Sequence, residues 1–328
     1  MSAEQMKKRP IVKVENLKMY FDVTKGIFGT PAGTVKAVDN VSFAIHKGET
    51  FGLVGESGCG KSTLGRTILQ MLEADSGSVI FKGKDIANLP KSKWKDLRSK
   101  LQIIFQDPYS ALNPNWTVKE LIQEPLKNAG MSQKQCDERV KELLKLVNMN
   151  EEDMHKFSYE FSGGQRQRIG VARAVANYPE FIFCDEPISA LDVSVQAQVV
   201  NMLKDLQQEL GLTYLFTAHD LSMVHHISDR IGVMYLGSMV ELGTSEEVFE
   251  NPLHPYTKAL ISAIPIADPE LGRKSQRIPI QGELPSPMNA PKGCRFCTRC
   301  PYATDRCREE RPEFREIQPG HFARCHIL

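Results

Sequence analysis

The sequence predicts an α/β protein. It should have a mostly parallel sheet around a phosphate-binding loop, an antiparallel β layer ahead of it, an inserted helical subdomain, and a small loop-rich C-terminal domain containing cysteines. Three observations predict this. Gly55-Glu56-Ser57-Gly58-Cys59-Gly60-Lys61-Ser62 fits G-x-x-x-x-G-K-[ST] and lies between a strand-like and a helix-like run. Short apolar strands then alternate with helical patterns, as in a parallel sheet covered on both faces. From Asn251 onward prolines punctuate the chain, and Cys294, Cys297, Cys300, Cys307 and Cys325 all fall near its end.

The 328 residues suit two domains, or one large domain with an appendage. A net charge of +1 gives no reason to expect nucleic acid or an anionic membrane as the main partner. No apolar run approaches the ~20 residues needed to span a bilayer. Met1 to Pro10 lacks the apolar core of a signal peptide, so a cytosolic protein with few disulfides is expected.

In order along the chain, Ile11 to Tyr20 and Val35 to Ile45 read as strands of a β-rich layer, separated by a Gly- and Thr-rich loop from Asp22 to Gly33. Thr50 to Val54 is a buried strand entering the phosphate loop, and Ser62 to Leu72 a helix leaving it. Val79 to Phe81 and Leu101 to Phe105 are short strands. Lys91 to Lys100 is a solvated basic helix face. Thr117 to Ala129, Gln133 to Val147 and Ser162 to Ala176 have helical periodicity; the helical insert spans about 107–177. Phe181 to Cys184 is a strand buried on both faces. Val193 to Leu210 is a helix, and Thr213 to Thr217 and Arg230 to Tyr235 are strands. The tail is expected to be a linker and a small unit that does not continue the sheet, dividing the chain into 1–252 and 253–328.

The motifs carry the chemistry. The loop's backbone N–H groups, Lys61 and the Ser62 hydroxyl suit nucleotide phosphates and Mg²⁺, although a Gly-rich turn alone would bind nothing. Asp185-Glu186 closes an apolar strand, where one acid can support Mg²⁺ and the next can deprotonate water; without the loop upstream it would be an ordinary turn. Ser162-Gly163-Gly164-Gln165 opens a helix, either as a second anion site or as a plain Ser N-cap. Two glycines there weaken a helix by about 1 kcal/mol each, which favours a need for close backbone approach.

With Gln106, His219 and Ser189-Ala190-Leu191-Asp192 added, the chain resembles the ATP-binding cassette (ABC) ATPases from Ile11 to Pro252: Walker A, Q-loop, signature, Walker B, D-loop and switch histidine stand in order. The resemblance implies a RecA-like P-loop NTPase core and a set of roles. Ser57, Gly58, Cys59, Gly60, Lys61, Ser62 and Thr63 hold phosphates and metal. Ser62 and Gln106 bind Mg²⁺, and Asp185 supports it. Glu186 is the general base, and His219 contacts the γ-phosphate. Ser162, Gly163, Gly164 and Gln165 serve the ATP of a partner subunit, next to the D-loop residues Ser189 and Asp192. Tyr20 stacks on adenine, with Phe28 as a substitute and a strand-end core aromatic as the plain alternative. Phe161 replaces the Leu common before the signature.

Gln106 to Pro114, Val193 to Gln198 and His254-Pro255-Tyr256-Thr257 look like the ATPases of dipeptide and oligopeptide importers, and Ser162 to Arg168 with Cys184-Asp185-Glu186-Pro187 resemble the DppF/OppF-like branch. That implies an ATP-hydrolysing subunit at the cytoplasmic face of the membrane. Its partners would be a sister ATPase (DppD/OppD-like), two membrane permeases and an external peptide-binding protein. A subfamily member importing nickel, murein peptides or another solute is the near alternative, and a soluble non-transport ABC ATPase the remote one. In the tail, Cys294, Cys300, Cys307 and Cys325 resemble a [4Fe–4S] site, with zinc, disulfide or free thiols as alternatives. Cys297 creates Cys-x-x-Cys-x-x-Cys and competes as a ligand. Cys59, Cys136 and Cys184 read as loop, surface and core thiols.

Overall fold

A computed structural model of the protein describes residues 10–25, 30–87, 89–90, 93–265 and 277–328. Phe28, Lys91 and Pro269 lie outside the described residues. In chain order the elements are β1 (Pro10–Lys25), β2 (Thr30–His46), β3 (Thr50–Val54), α1 (Lys61–Ile68), β4 (Ser76–Phe81), β5 (Lys84–Asp85), α2 (Trp94–Arg98), β6 (Leu101–Ile104), α3 (Pro108–Ala111), α4 (Val118–Asn128), α5 (Gln133–Leu146), α6 (Gly163–Val175), β7 (Phe181–Cys184), α7 (Val193–Leu210), β8 (Thr213–Thr217), α8 (Leu221–Ile227), β9 (Arg230–Tyr235), β10 (Ser238–Thr244), α9 (Ser245–Glu250), α10 (Pro255–Ser262), α11 (Asp305–Glu309), β11 (Arg315–Gln318) and β12 (His321–Ala323). They fall into two compact units. One comprises His46–Thr50 and the described part of Asn88–Ala218; the other comprises the described parts of Pro10–Ile45, Phe51–Ala87 and His219–Leu328.

In the first unit β6, β7 and β8 run parallel, with Ile104 opposite Cys184 and Cys184 opposite Phe216. Strands β7 and β8 are buried along their whole length, which is why they read as unbroken apolar runs. The helical insert packs its apolar stripes inward: Val118, Leu121, Ile122 and Leu126 from α4, and Cys136, Val140, Leu143 and Leu144 from α5. Burying each leucine-sized side chain contributes about 1.5–3 kcal/mol. Thr117–Glu120 and Ser132–Gln135 capping boxes set the helix starts. Cys136 is fully buried on this inner face, a core thiol where the sequence suggested a surface one. Lys93, Arg98 and Lys100 are exposed, as a solvated basic face requires.

In the second unit β3 runs parallel to β9, with Val54 opposite Val233. Strand β9 turns into antiparallel β10 through Leu236 (φ 44°) and Gly237 (φ 77°), a two-residue hairpin in which both central residues are left-handed. A separate four-stranded sheet has the order β2-β1-β4-β5, with β1 antiparallel to β4. The expected Asp22–Gly33 loop is shorter than its composition suggests. Asp22 to Lys25 continue β1 and Thr30 to Gly33 begin β2, and the Thr34 hydroxyl donates to Asp22 Oδ1 (2.9 Å). Helix α1 stops at Ile68, not Leu72, because Gln70 turns left-handed (φ 54°) and the Met71 N–H closes on the Arg66 carbonyl (2.9 Å).

The tail corrects a larger expectation. It does continue the sheet: β12 pairs antiparallel with β10 (Glu241 opposite Ala323, Leu242 opposite Phe322), and β11 pairs outside β12. A buried polar knot fixes this register. The Glu241 carboxylate accepts from Leu253 N (2.7 Å) and His254 N (2.8 Å), and pairs with His321 Nε2 (2.8 Å). His254 in turn caps α10, its Nδ1 accepting from the Tyr256 N–H (3.1 Å).

That cap requires a neutral imidazole, and burial pushes His254 down from 6.5 to about 4. The unfolded chain takes up this proton near pH 6.5, whereas the native protein takes it up only near pH 4. Stability should therefore fall by roughly 3 kcal/mol from this group as pH drops through that window. His254→Asn keeps a capping acceptor without the titration. Thermal unfolding at pH 4–7 should show the variant losing less stability than wild type toward low pH.

Candidate nucleotide site

The phosphate loop belongs to the second unit and hangs between β3 and α1. Its glycines are needed for two different reasons. Gly55 (φ 153°) and Gly60 (φ 106°) have no room for a side chain: an added Cβ would lie 2.3 Å from the Met234 carbonyl oxygen and 2.0 Å from that of Ala37. Gly58 (φ 76°) has nothing within 4 Å of such a Cβ, so there only the left-handed backbone demands glycine. The β9–β10 hairpin clips the loop from behind. Gly237 N donates to the Cys59 carbonyl (2.9 Å), and Asp39 N donates to the Gly237 carbonyl (2.7 Å). Lys61 is nearly buried and donates to the carbonyls of Gly55 (2.8 Å) and Glu56 (3.5 Å). Burial raises the Cys59 thiol, leaving it a neutral packing residue. Ser57 and Gly58 are exposed at the crest, while Ser62 and Thr63 are half-buried at the start of α1.

His219 is exposed and lines the same cleft of about 360 Å³ as Val54, Gly55, Glu56 and Leu260. Tyr20 is half-buried, and its hydroxyl donates to Asp39 Oδ1 (2.7 Å). Burial and the Asp39 carboxylate push this phenol up to about 12, so it stays a donor. Lys36 Nζ stands 5.7 Å from the Tyr20 ring centroid.

The acids belong to the first unit, at the carboxyl end of β7. Asp185 is fully buried, its N–H donating to the Ile104 carbonyl (2.9 Å). Glu186 adopts φ 47°, uncommon for a residue with a Cβ. The Thr217 hydroxyl holds it there by accepting from Glu186 N (2.9 Å) while donating to the Cys184 carbonyl (3.1 Å). The Glu186 carboxylate accepts from Gln106 Nε2 (3.0 Å), so the Q-loop and Walker B positions meet within one unit.

Ser162 is the N-cap of α6 in a reciprocal box with Gln165: Gln165 N donates to Ser162 Oγ (3.4 Å), and Ser162 N to Gln165 Oε1 (3.1 Å). Ser162 and Gln165 are exposed, as are Ser189 and Asp192 ahead of α7. The two signature glycines differ. A Cβ at Gly164 would strike Val195 Cγ1 at 2.4 Å, so packing against α7 explains it, whereas one at Gly163 would find Leu191 at an ordinary 3.6 Å. Phe161 is buried, an apolar anchor beneath the turn.

Comparison with known proteins decides the family. The ABC transporter family model matches residues 38–189, and the model for the oligopeptide/dipeptide transporter C-terminal region matches 240–307. The oligopeptide transport ATP-binding protein AppF of Bacillus subtilis is 51% identical over 97% of both chains. The oligopeptide transport ATP-binding protein OppF of Salmonella typhimurium is 50% identical over 95% of both. The chain belongs to the ABC transporter ATP-binding proteins. Among solved structures, CbiO1 of Clostridium perfringens, part of the ABC transporter complex CbiONQ, aligns with TM-score 0.67 and 27% identity, over 81% of this chain and 99% of that one. A dimeric ATP-binding cassette in a post-hydrolysis state with ADP and Pi aligns with TM-score 0.64 and 28% identity, over 71% and 98%. The chain is thus an ABC ATPase in fold and activity.

This ABC ATPase has no helix, among its described residues, long and apolar enough to cross a membrane. Its tail cysteines are near one another: the Cys294 thiol, pushed up to about 12 by burial, also feels Cys325, Cys297 and Cys307. The sulfurs of Cys294, Cys300 and Cys325 accept the backbone N–H groups of Phe296, Tyr302 and Ile327, each two residues on. The donors are of the kind an iron–sulfur cluster or zinc takes, yet among the described residues no three His, Cys, Asp or Glu side chains converge as a metal-ligand set.

Two features of the site escaped the sequence. The Tyr256 hydroxyl accepts from the Glu56 N–H (2.9 Å) in the phosphate loop, and arginines of the tail reach Asp39 and Glu56. The signal available was the alternation of Arg295 and Arg299 with the cysteines of the tail.

Proposed function

We propose that this chain is the ATP-hydrolysing subunit that powers import of dipeptides or oligopeptides through a membrane ABC transporter. The observation that carries the reading is the near-full-length identity of about half to curated proteins named for oligopeptide transport. In this reading residues 1–252 form the nucleotide-binding domain and 253–328 a tail typical of the peptide branch. The chain pairs with a sister ATPase at the cytoplasmic face of two permeases, fed by an external peptide-binding protein.

Lys61 and the backbone from Ser57 to Thr63 hold the phosphates, Ser62, Gln106 and Asp185 supply oxygen donors around Mg²⁺, and His219 meets the γ-phosphate. Tyr20 stacks on adenine. Glu186 takes the proton of the attacking water; the strained backbone held by Thr217 and the bond from Gln106 support that role, because both fix the carboxylate in one place. Ser162, Gly163, Gly164, Gln165, Ser189 and Asp192 serve the partner's nucleotide; the exposure of Ser162, Gln165, Ser189 and Asp192 at helix starts supports a face turned outward.

The tail thiols Cys294, Cys300, Cys307 and Cys325, with Cys297 as a substitute, are proposed to take a [4Fe–4S] cluster, or zinc as the second candidate. Thiol proximity and N–H donors to sulfur support this. Anaerobic purification with iron, acid-labile sulfide and zinc analysis tests it. About four irons and four sulfides per chain support the cluster; zinc without sulfide supports the structural ion; neither overturns both.

Glu186→Gln should retain ATP binding and lower phosphate release by the assembled transporter about 10²–10⁴-fold; normal turnover would remove Glu186 as the base. Lys61→Ala should abolish tight ATP binding in a fluorescent-nucleotide titration, and unchanged affinity would contradict the phosphate role of the loop.

A further inference from the structure

Glu56 is the one acidic side chain within Gly55–Ser62. A carboxylate in a loop that receives a polyphosphate opposes the ligand by simple charge repulsion. The structure deals with it through the tail. Arg299 grips Glu56 with both prongs of its guanidinium, Nη1 to Oε2 at 2.7 Å and Nη2 to Oε1 at 3.2 Å. Such a two-pronged pair fixes direction as well as charge. Arg299 is itself held: its side chain is only 9% exposed, and Nη1 also donates to the Tyr235 hydroxyl (3.3 Å). Glu56 is pinned at its backbone by Tyr256.

The same turn repeats the arrangement four residues earlier. Arg295 Nη2 lies 2.5 Å from Asp39 Oδ2, joined by Arg311 Nη1 at 2.8 Å, and Asp39 is the acceptor of the Tyr20 hydroxyl. Phe296 between them packs edge-on against Tyr235, with ring centroids 5.2 Å apart. The cysteine turn therefore delivers its cations onto the two acids that border the proposed nucleotide site.

We propose that Arg299 is a positioning residue for nucleotide binding: by pairing with Glu56 it cancels the loop's own negative charge and draws that carboxylate out of the way of the incoming phosphates. This rests on the phosphate-loop reading of Gly55–Ser62. A mere staple between tail and loop would use the same ion pair, but it differs in one respect. A staple is lost equally when either partner is removed, whereas a charge canceller is unnecessary once the charge is gone.

The test is nucleotide affinity of the full chain, measured by fluorescent-nucleotide titration alongside Lys61→Ala. Arg299→Ala should weaken ATP binding about tenfold, the effect of roughly one uncompensated charge under partial screening. Adding Glu56→Gln to that variant should restore affinity to within about threefold of wild type. Arg299→Lys, which keeps the charge, should stay closer to wild type than Arg299→Ala, and it remains informative if the alanine variant does not fold. A double variant as weak as Arg299→Ala, or a lysine variant as weak as alanine, overturns the proposal. Normal binding by Arg299→Ala while Lys61→Ala loses it overturns this inference alone; normal binding by Lys61→Ala overturns the loop reading and this inference with it.

Discussion

At Gly55 and Gly60 no side chain fits between the phosphate loop and the strands that enclose it, and the second unit is organised around that fact. Gly60 faces the Ala37 carbonyl of β2, Gly55 faces the Met234 carbonyl of β9, and Gly237 at the tip of the β9–β10 hairpin faces the Lys36 and Ala37 carbonyls. Each approach is closer than any Cβ tolerates. The loop is therefore held by backbone against backbone, and its amides stay where hydrogen bonds and sterics put them. A loop held in this way is preformed, so little would be left to order on binding an anion.

Charge is the second constraint. The loop and its flank carry two acids, Glu56 and Asp39, and the chain answers both with arginines from beyond residue 290. Burial alone would raise the Asp39 carboxyl, but the Tyr20 hydroxyl, Arg311 and Arg295 outweigh it and hold it below its ordinary value. The tail is thus attached in three physical ways: β12 hydrogen-bonds to β10, His321 pairs with buried Glu241, and Arg295, Arg299 and Arg311 bind the acids. Breaking a buried ion pair on one side only leaves an uncompensated charge, so these contacts resist piecemeal loss.

The first unit solves a different problem, that of fixing acidic side chains just beyond the end of a rigid strand. Strand β7 is buried throughout and ends at Cys184, two residues before Glu186, whose left-handed backbone is tolerated because Thr217 bridges it to Cys184. Gln106 then meets the Glu186 carboxylate. The signature follows the same economy, with one serine–glutamine box satisfying the start of α6 while Gly164 admits Val195 of α7.

The central strands and helices are legible in residue order alone, because their signals are local. Continuous apolar runs mark β3, β7 and β8, 3.6-residue stripes mark α4 to α7, and the glycine spacing marks the loop. The family followed from motif order for the same reason: each motif is a short, self-contained piece of backbone chemistry. The features that emerge only on folding involve partners distant in sequence. Strands β11 and β12 are short and half-polar and become strands only against the edge of β10. Asp22 to Lys25 and Thr30 to Gly33 have loop composition, yet neighbouring strands extend them. The Arg299–Glu56 and Arg295–Asp39 pairs join residues more than 200 positions apart, and no periodicity reports such a contact. Cys136 looked like a surface thiol because its neighbours are polar, and packing of the helical insert buried it. Spacing likewise suggested a ligand set in the tail cysteines, but whether thiols converge is a matter of where the chain folds back, and that the sequence did not encode locally.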